Sequence, residues 1–289
     1  MTSPCCALCG EVTSDPEIAS VPSNVRAHRE QSFAVWRCAT CQGIHARDDV
    51  DLDHYYTDYP FYRLTSLDDF HRTVYANLWQ RVLKVAPLTF DSTVLDYGCG
   101  SGHFVEFLSE KGFKWSHGYD AYSPGFDDPE RLEQRYDCVV CQDVLEHVPE
   151  PNALLDELGD LVAPGGLLAM GTPNAAAIDL ATPAAYLHQL HQPYHRHIVS
   201  AAWLREAAEA RGWEVAAYYP SAYVNTSKAF INQPFLMRVL ESRDNTLDAA
   251  FEDPGPPPLS FWSLSALRDA FFGAGRAPSS DVMFVFRLP

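Results

Sequence analysis

Between Val94 and Gly102 the chain reads VLDYGCGSG, and the run behind it, HFVEFLSEKG, has helical spacing and is stopped by Gly112. A short buried strand that turns through three glycines into a helix fixes a β-to-α crossover. Gly98, Gly100 and Gly102 permit a sharp turn and let a ligand lie close to the backbone. The alternation continues. KWSHGYD and YDCVVCQD read as strands, NALLDELGDLV as a helix stopped at Ala163-Pro164-Gly165-Gly166, and GLLAMGTPN as another strand. Ser200 caps the helix AAWLREAAEARG, and WEVAAYYP and DVMFVFRLP supply two more strands. Strands separated by helices predict a doubly wound α/β sheet with mostly parallel strands.

The ligand of that first turn can be read from its acids. A dinucleotide loop runs G-x-G-x-x-G, whereas here His103 follows Gly102. Asp96, just before the glycines, would repel a phosphate and suits a ligand bearing an ammonium group. Asp120 lies 20 residues past Gly100, at the end of the next strand, where a carboxylate can take both ribose hydroxyls. A positively charged nucleoside without phosphates satisfies both positions, and S-adenosylmethionine is such a molecule. The glycine spacing disfavours the fold-level rival, an NAD dehydrogenase.

Cysteine usage sets the N-terminus apart. Cys6-Ala7-Leu8-Cys9 and Cys38-Ala39-Thr40-Cys41 are Cys-x-x-Cys pairs with 28 residues between them. Two such turns supply the tetrahedral thiolate set that Zn²⁺ takes, and four protein ligands make it a structural site. Cys5 competes with Cys6 in register, but only Cys6 gives the two-residue spacing. Residues 1–47 are therefore read as a small zinc-binding module, 48–88 as an aromatic arm and helix, and 89–289 as the α/β domain. Residues 220–280 form a lid-like insertion between its last two strands. Tyr218, Tyr219, Tyr223, Phe230, Phe235 and Trp262 read as ordinary core or as a pocket wall.

VLDYGCGSG, GYD, YDCVVCQDVLEHVPEP, LVAPGGLLAMGTPN and PYHRHIVSAAWLREAAEARGWEV resemble, in order, the motifs of class I S-adenosylmethionine-dependent methyltransferases. The branch most resembled is the small-molecule group of quinone-biosynthesis and antibiotic-sugar enzymes. The paired cysteines ahead of a tyrosine-rich arm resemble deoxysugar C-methyltransferases. The resemblance implies a Rossmann-like methyltransferase sheet joined to a small zinc-ribbon-like module. It places Gly98, Gly100 and Gly102 along the cofactor, Asp96 at its amino-acid end and Asp120 on its ribose. It sets Gln142 and Asp143 beside the methionine moiety. Family members usually carry a longer segment after the ribose acid, including a strand whose acid binds adenine. Only 16 residues separate Asp120 from Asp137, no such strand is identifiable, and Ala121 and Tyr122 stand in for the adenine contact. In related enzymes an N-terminal arm covers the cofactor, which implicates Tyr56, Tyr62 and Arg63. The alternative is that the arm's rings bury the seam with the zinc module.

Methyl transfer needs alignment, exclusion of water and often removal of a proton. Histidine is the natural base near neutrality. The family pattern of a histidine five residues before a helix-capping Ser selects His195, followed by His197 and then His147, with packing as the plain alternative for His147. A second metal site within His188, His191, His195 and His197 is disfavoured because no carboxylate or Cys near in sequence completes it.

The expected reaction is transfer of a methyl group to an oxygen or carbon of a small molecule, in secondary metabolism or sugar modification. Two alternatives stay open: a relative that binds S-adenosylmethionine for a non-methylating reaction, and a degenerate domain used as a binding module. The 289 residues carry 21 Lys+Arg against 38 Asp+Glu, a net charge of −17, which repels a nucleic-acid partner. No apolar run is long enough to cross a bilayer, and MTSPCCALCG lacks the basic-then-apolar pattern of a secretory signal. No membrane partner and a cytoplasmic location are expected; oligomeric state is left open.

Overall fold

A computed structural model describes residues 3–60, 66–252, 259–278 and 280–289. The N-terminal part contributes three strands, β1 (Glu17–Pro22), β2 (Ser32–Arg37) and β3 (Ile44–Ala46), then helix α1 (Leu52–Tyr56). Helix α2 (Asp69–Leu83) begins where the Asp68 side chain accepts the His71 N–H at 2.8 Å. The alternating region follows as β4 (Val94–Tyr97), α3 (His103–Glu110), β5 (Ser116–Tyr119), β6 (Tyr136–Gln142), α4 (Pro151–Leu161) and β7 (Val162–Pro173). After it come α5 (Leu187–Leu190), β8 (His197–Ile198), α6 (Ala201–Ala210) and β9 (Glu214–Tyr219). Then α7 (Gln233–Glu241), α8 (Asp248–Phe251) and α9 (Leu264–Phe272) precede the final strand, β10 (Asp281–Arg287). Ser200 caps α6 as expected, its Oγ accepting the Trp203 N–H at 3.1 Å.

The main sheet has the order β5-β4-β6-β7-β10-β9, with β4, β5, β6 and β7 parallel and β10 antiparallel to both of its neighbours. It is the doubly wound, Rossmann-like sheet expected. Both faces are buried, which explains the near-continuous apolar strands. Leu95, Val139, Cys141, Leu168, Met170, Phe284 and Phe286 face one core with α4 and α6. Their alternate neighbours Val94, Cys138, Val140, Leu167, Ala169, Met283 and Val285 face the other with α2 and α3. Strand order reverses at β4, whose two neighbours lie on opposite sides, so a crevice opens beyond its C-terminal end. Between Asp120 and β6 only a single 3₁₀ turn, Pro129–Leu132, is formed, and β5 is the sheet edge.

The second sheet, β1-β2-β3-β8, is antiparallel and takes its last strand from the far end of the chain. The N-terminal segment also packs on the α4/α6 face. Cys6, Leu8, Trp36 and Cys38 share the core of that face, and the Leu8 carbonyl accepts from Trp203 Nε1 at 3.3 Å and Asn152 Nδ2 at 3.2 Å.

Candidate active site and metal centre

The crevice is a cavity of about 850 Å³, in the upper part of the range of small-molecule sites. Its floor is the glycine turn. Gly98 (φ +78°) and Gly102 (φ +75°) hold left-handed backbone, and neither has room for a side chain. A Cβ on Gly98 would lie 2.3 Å from Val144 Cγ2, and one on Gly102 would lie 2.1 Å from the Phe126 ring. Asp120 Oδ2 accepts the Gly100 N–H and Oδ1 the Tyr122 N–H, each at 2.9 Å, which fixes this carboxylate at the turn. Asp96 is buried at the end of β4. Burial, with the nearby Asp120 charge adding, pushes its carboxyl up to about 7.

Asp96, Gly98, Gly100, Asp120, Ala121, Tyr122, Gln142, Asp143 and Tyr56, all singled out from the sequence, line this one cavity. Gln142 Nε2 donates to the Ala169 carbonyl at 3.0 Å. Asp143 is open to the cavity yet deep within the chain; that enclosure, then Asp281, pushes its carboxyl up to about 7. Tyr122 stacks on Tyr56 of α1, with ring centroids 5.7 Å apart and planes 12° from parallel. The arm thus reaches over the turn. Tyr62 and Arg63 lie outside the described residues.

Opposite the glycine turn stands a group of buried polar side chains. His195 Nδ1–H donates to the Gln189 carbonyl at 2.7 Å, which leaves the lone pair on Nε2, 3.9 Å from Glu146 Oε1. Glu146 is fully buried. Its Oε2 accepts from Thr172 Oγ1 at 3.0 Å, while Oε1 has no hydrogen-bond partner among the described residues. Burial, then Asp143, pushes the Glu146 carboxyl up. His147 meets His195 edge to face at 4.7 Å and hydrogen-bonds Tyr56 through Nδ1 at 3.0 Å. Burial takes His147 down to about 4 and His195 well below its ordinary value, so both imidazoles are neutral at physiological pH. His191 and His188 line the same wall, each hydrogen-bonded to Asn24.

Two sequence expectations need correction here. His197 does not line the cavity; β8 pairs with β3, and the His197 ring turns to His45 instead, Nδ1 to Nδ1 at 2.9 Å. A carboxylate does join the histidines: one ligand atom each from Glu146, His147 and His195 lies within 4.8 Å of the others, a spacing that could hold a cation. Glu146 was overlooked although it directly precedes His147 in sequence. Asp281, Tyr59 and Tyr223 also line the cavity. Nothing local marks Asp281, which β10 brings in beside β7. Of the six aromatic residues of the last third, Tyr223 alone reaches the wall.

The four cysteines converge. Cys6, Cys9, Cys38 and Cys41 Sγ atoms all lie within 4.8 Å of one another, with Cys6–Cys41 at 3.5 Å and Cys9–Cys38 at 3.7 Å. A zinc–thiolate tetrahedron with bonds of about 2.3 Å has sulfur–sulfur edges of about 3.8 Å. The two turns are built alike. Gly10 N donates to Cys6 O and Gln42 N to Cys38 O, while Cys6 N reaches Glu11 O and Cys38 N reaches Gly43 O. Gly10 (φ +76°) and Gln42 (φ +61°) hold left-handed backbone at matching positions. Burial pulls the Cys38 thiol up, but the N–H groups of Cys41 and Thr40 outweigh it and bring it down to about 7. The donor set fits a structural metal. Cys5 is exposed and points to the Gly10 carbonyl, outside the cluster.

Fold and cavity together define a Rossmann-like domain with a small-molecule site at its switch point. The chain belongs to the methyltransferase-domain family, whose model matches residues 70–218, more than half of its length. Among curated proteins it is similar to the ubiquinone biosynthesis O-methyltransferase of Serratia proteamaculans, at 34% identity over 32% of this chain and 47% of that protein. The Xylella fastidiosa protein of the same description is 30% identical over 44% of this chain and 63% of its own. The chain thus spans about half to under two thirds of these relatives. Among solved structures, a SAM-dependent methyltransferase from Archaeoglobus fulgidus aligns with TM-score 0.46 and 17% identity, covering 81% of this chain and 100% of that one. Among the described residues no helix is long and apolar enough to cross a membrane.

Proposed function

We propose that the protein is an S-adenosylmethionine-dependent methyltransferase that methylates an oxygen or carbon of a small molecule, with a structural zinc at Cys6, Cys9, Cys38 and Cys41. The observation that carries this reading is the charge of the cavity. Asp96, Asp120, Asp143, Glu146 and Asp281 line it, and Arg196 is the only Lys or Arg among the described lining residues. Such a wall welcomes a cation and rejects a pyrophosphate.

When bound, S-adenosylmethionine supplies a methyl group activated by a sulfonium. The glycine turn and Asp120 hold its nucleoside, Asp96 faces its ammonium end, and the Tyr56–Tyr122 stack covers it in place of the absent adenine strand. Tyr62 and Arg63 belong to the same covering arm. Gln142 and Asp143 flank the reacting methyl. His195 takes the acceptor's proton on Nε2, where Glu146 Oε1 faces it; His147 stands beside it as the alternative base. Burial keeps both imidazoles unprotonated and so competent to accept a proton. Residues 1–47 act as the metal-binding module, 48–88 as the arm and 89–289 as the catalytic domain. Tyr223, Leu247 and Phe251 of the 220–280 insertion close the acceptor end. The likeness to ubiquinone O-methyltransferases supports a small-molecule acceptor.

The test is calorimetric titration with S-adenosylmethionine, followed by a metabolite screen for S-adenosylhomocysteine release. Absence of binding refutes the cofactor assignment, and binding without product under any acceptor refutes the transfer.

A further inference from the structure

The four-cysteine module and the histidine wall are one hydrogen-bonded structure, and the connection runs through the two residues that follow His195. The Arg196 N–H donates to the Glu146 carbonyl at 2.7 Å, while the Arg196 carbonyl accepts the Ala46 N–H at 2.9 Å. The next pair continues the ladder: His197 is opposite His45 and Ile198 opposite Ile44. Two residues on, Ser200 Oγ donates to the Cys41 carbonyl at 2.7 Å. His45 supplies a side-chain link as well. Its Nε2 lies 3.2 Å from Cys6 Sγ, its Nδ1 lies 2.9 Å from His197 Nδ1, and its ring stacks on Trp36 at 4.5 Å.

We propose that the metal module is the device that positions His195 in the cavity, with His45 as the positioning residue that joins the Cys6 thiolate to β8. The physical reason is the weakness of the parts alone. β8 is two residues long and β3 three, too short to hold register by themselves. The Cys38–Cys41 turn immediately precedes β3, and a metal that clamps it to Cys6 and Cys9 fixes where β3 lies. β3 in turn fixes the main chain on the C-terminal side of His195, with the Gln189 carbonyl holding its ring from the other side. The module therefore contributes no group to the chemistry and sets the place of one.

The inference rests on reading the cysteines as a metal site, so metal analysis of the purified full chain comes first. Hydrogen exchange is then followed before and after chelation, and after zinc is restored. Amides of 44–46 and 196–198 are expected to exchange at least about tenfold faster without metal, while those of β4 and β6 stay within about twofold. Long-range ¹H–¹⁵N spectra of the imidazoles should show the His195 ring signals move and those of His103 and His117, far from β8, stay. His45→Phe keeps the stack on Trp36 and removes both polar links; it should retain the metal and still move the His195 signals. A sample without metal overturns the cysteine reading and the proposal together. Metal loss that leaves 196–198 and the His195 ring unchanged, or that loosens β4 and β6 equally, overturns the positioning role alone.

Discussion

Asp96→Asn should separate what the cavity does for its ligand from what it costs the empty protein. The Asp96 carboxyl is buried at the end of β4, with the Asp120 charge nearby, and its pKa is raised from 3.8 to about 7. That is about three units, or about 4 kcal/mol of order-of-magnitude preference of the fold for the protonated acid. The sign follows from linkage. Below 3.8 the folded and unfolded chains both hold the proton; between 3.8 and about 7 only the folded chain does, so stability falls as pH rises through that window and is flat above it. Asparagine has nearly the same shape and never ionises. The variant without ligand should therefore be the more stable protein at pH 8 and equal to the parent near pH 4. At about 2–4 °C per kcal/mol for domains of roughly this size, melting should rise by about 4 °C or more at pH 8.

Ligand binding should move the other way. A cationic ligand binds the ionised acid, so wild-type affinity for S-adenosylmethionine should weaken as pH falls below about 7, with proton release on binding. The variant should bind at least about tenfold more weakly at pH 8 and lose part of that pH dependence, Asp143 retaining the rest. Differential scanning fluorimetry at pH 4, 6 and 8, with calorimetry in two buffers of different ionisation enthalpy, reads both effects. A variant that melts at or below the parent temperature at pH 8, yet binds the cofactor as well, would refute the view that this buried acid is held for a cation.

His195→Ala should lower S-adenosylhomocysteine formation at least about tenfold and leave cofactor affinity within about twofold, measured by kinetics and calorimetry on the same preparation. His197→Ala should be far milder, since that ring faces His45 and not the cavity. Because burial depresses His195 and His147, kcat should stay level from pH 7.5 to about 5.5 while KM for S-adenosylmethionine rises, a split visible in full pH profiles. Gly102→Ala forces a Cβ onto the Phe126 ring at a left-handed position and should cost at least about 1–2 kcal/mol in denaturant titration. Cys38→Ser should lower bound zinc in elemental analysis and destabilise the chain.

The legible parts of this molecule are those written within a few residues of each other. VLDYGCGSG specifies its own strand, turn and helix because left-handed glycines have few substitutes, and Asp120 follows at the length of one α/β unit. The cysteine pairs are legible for the same reason: each turn is closed by its own backbone, Gly10 to Cys6 and Gln42 to Cys38. The histidine wall is not local. His195 and His197 look equivalent two residues apart, and what tells them apart is that β8 pairs with β3, about 150 residues earlier, which takes His197 to the module and leaves His195 over Glu146. Asp281 arrives from β10 through a pairing with β7 that its own neighbours do not announce. The absent adenine strand could be read as a shortage of residues, but what replaces it could not. Tyr56 and Tyr122 meet by stacking of two segments with no shared pattern. The chemistry of the wall thus depends on where the N-terminal module docks, and sequence motifs of the catalytic domain taken alone assign it to the wrong histidine as readily as to the right one.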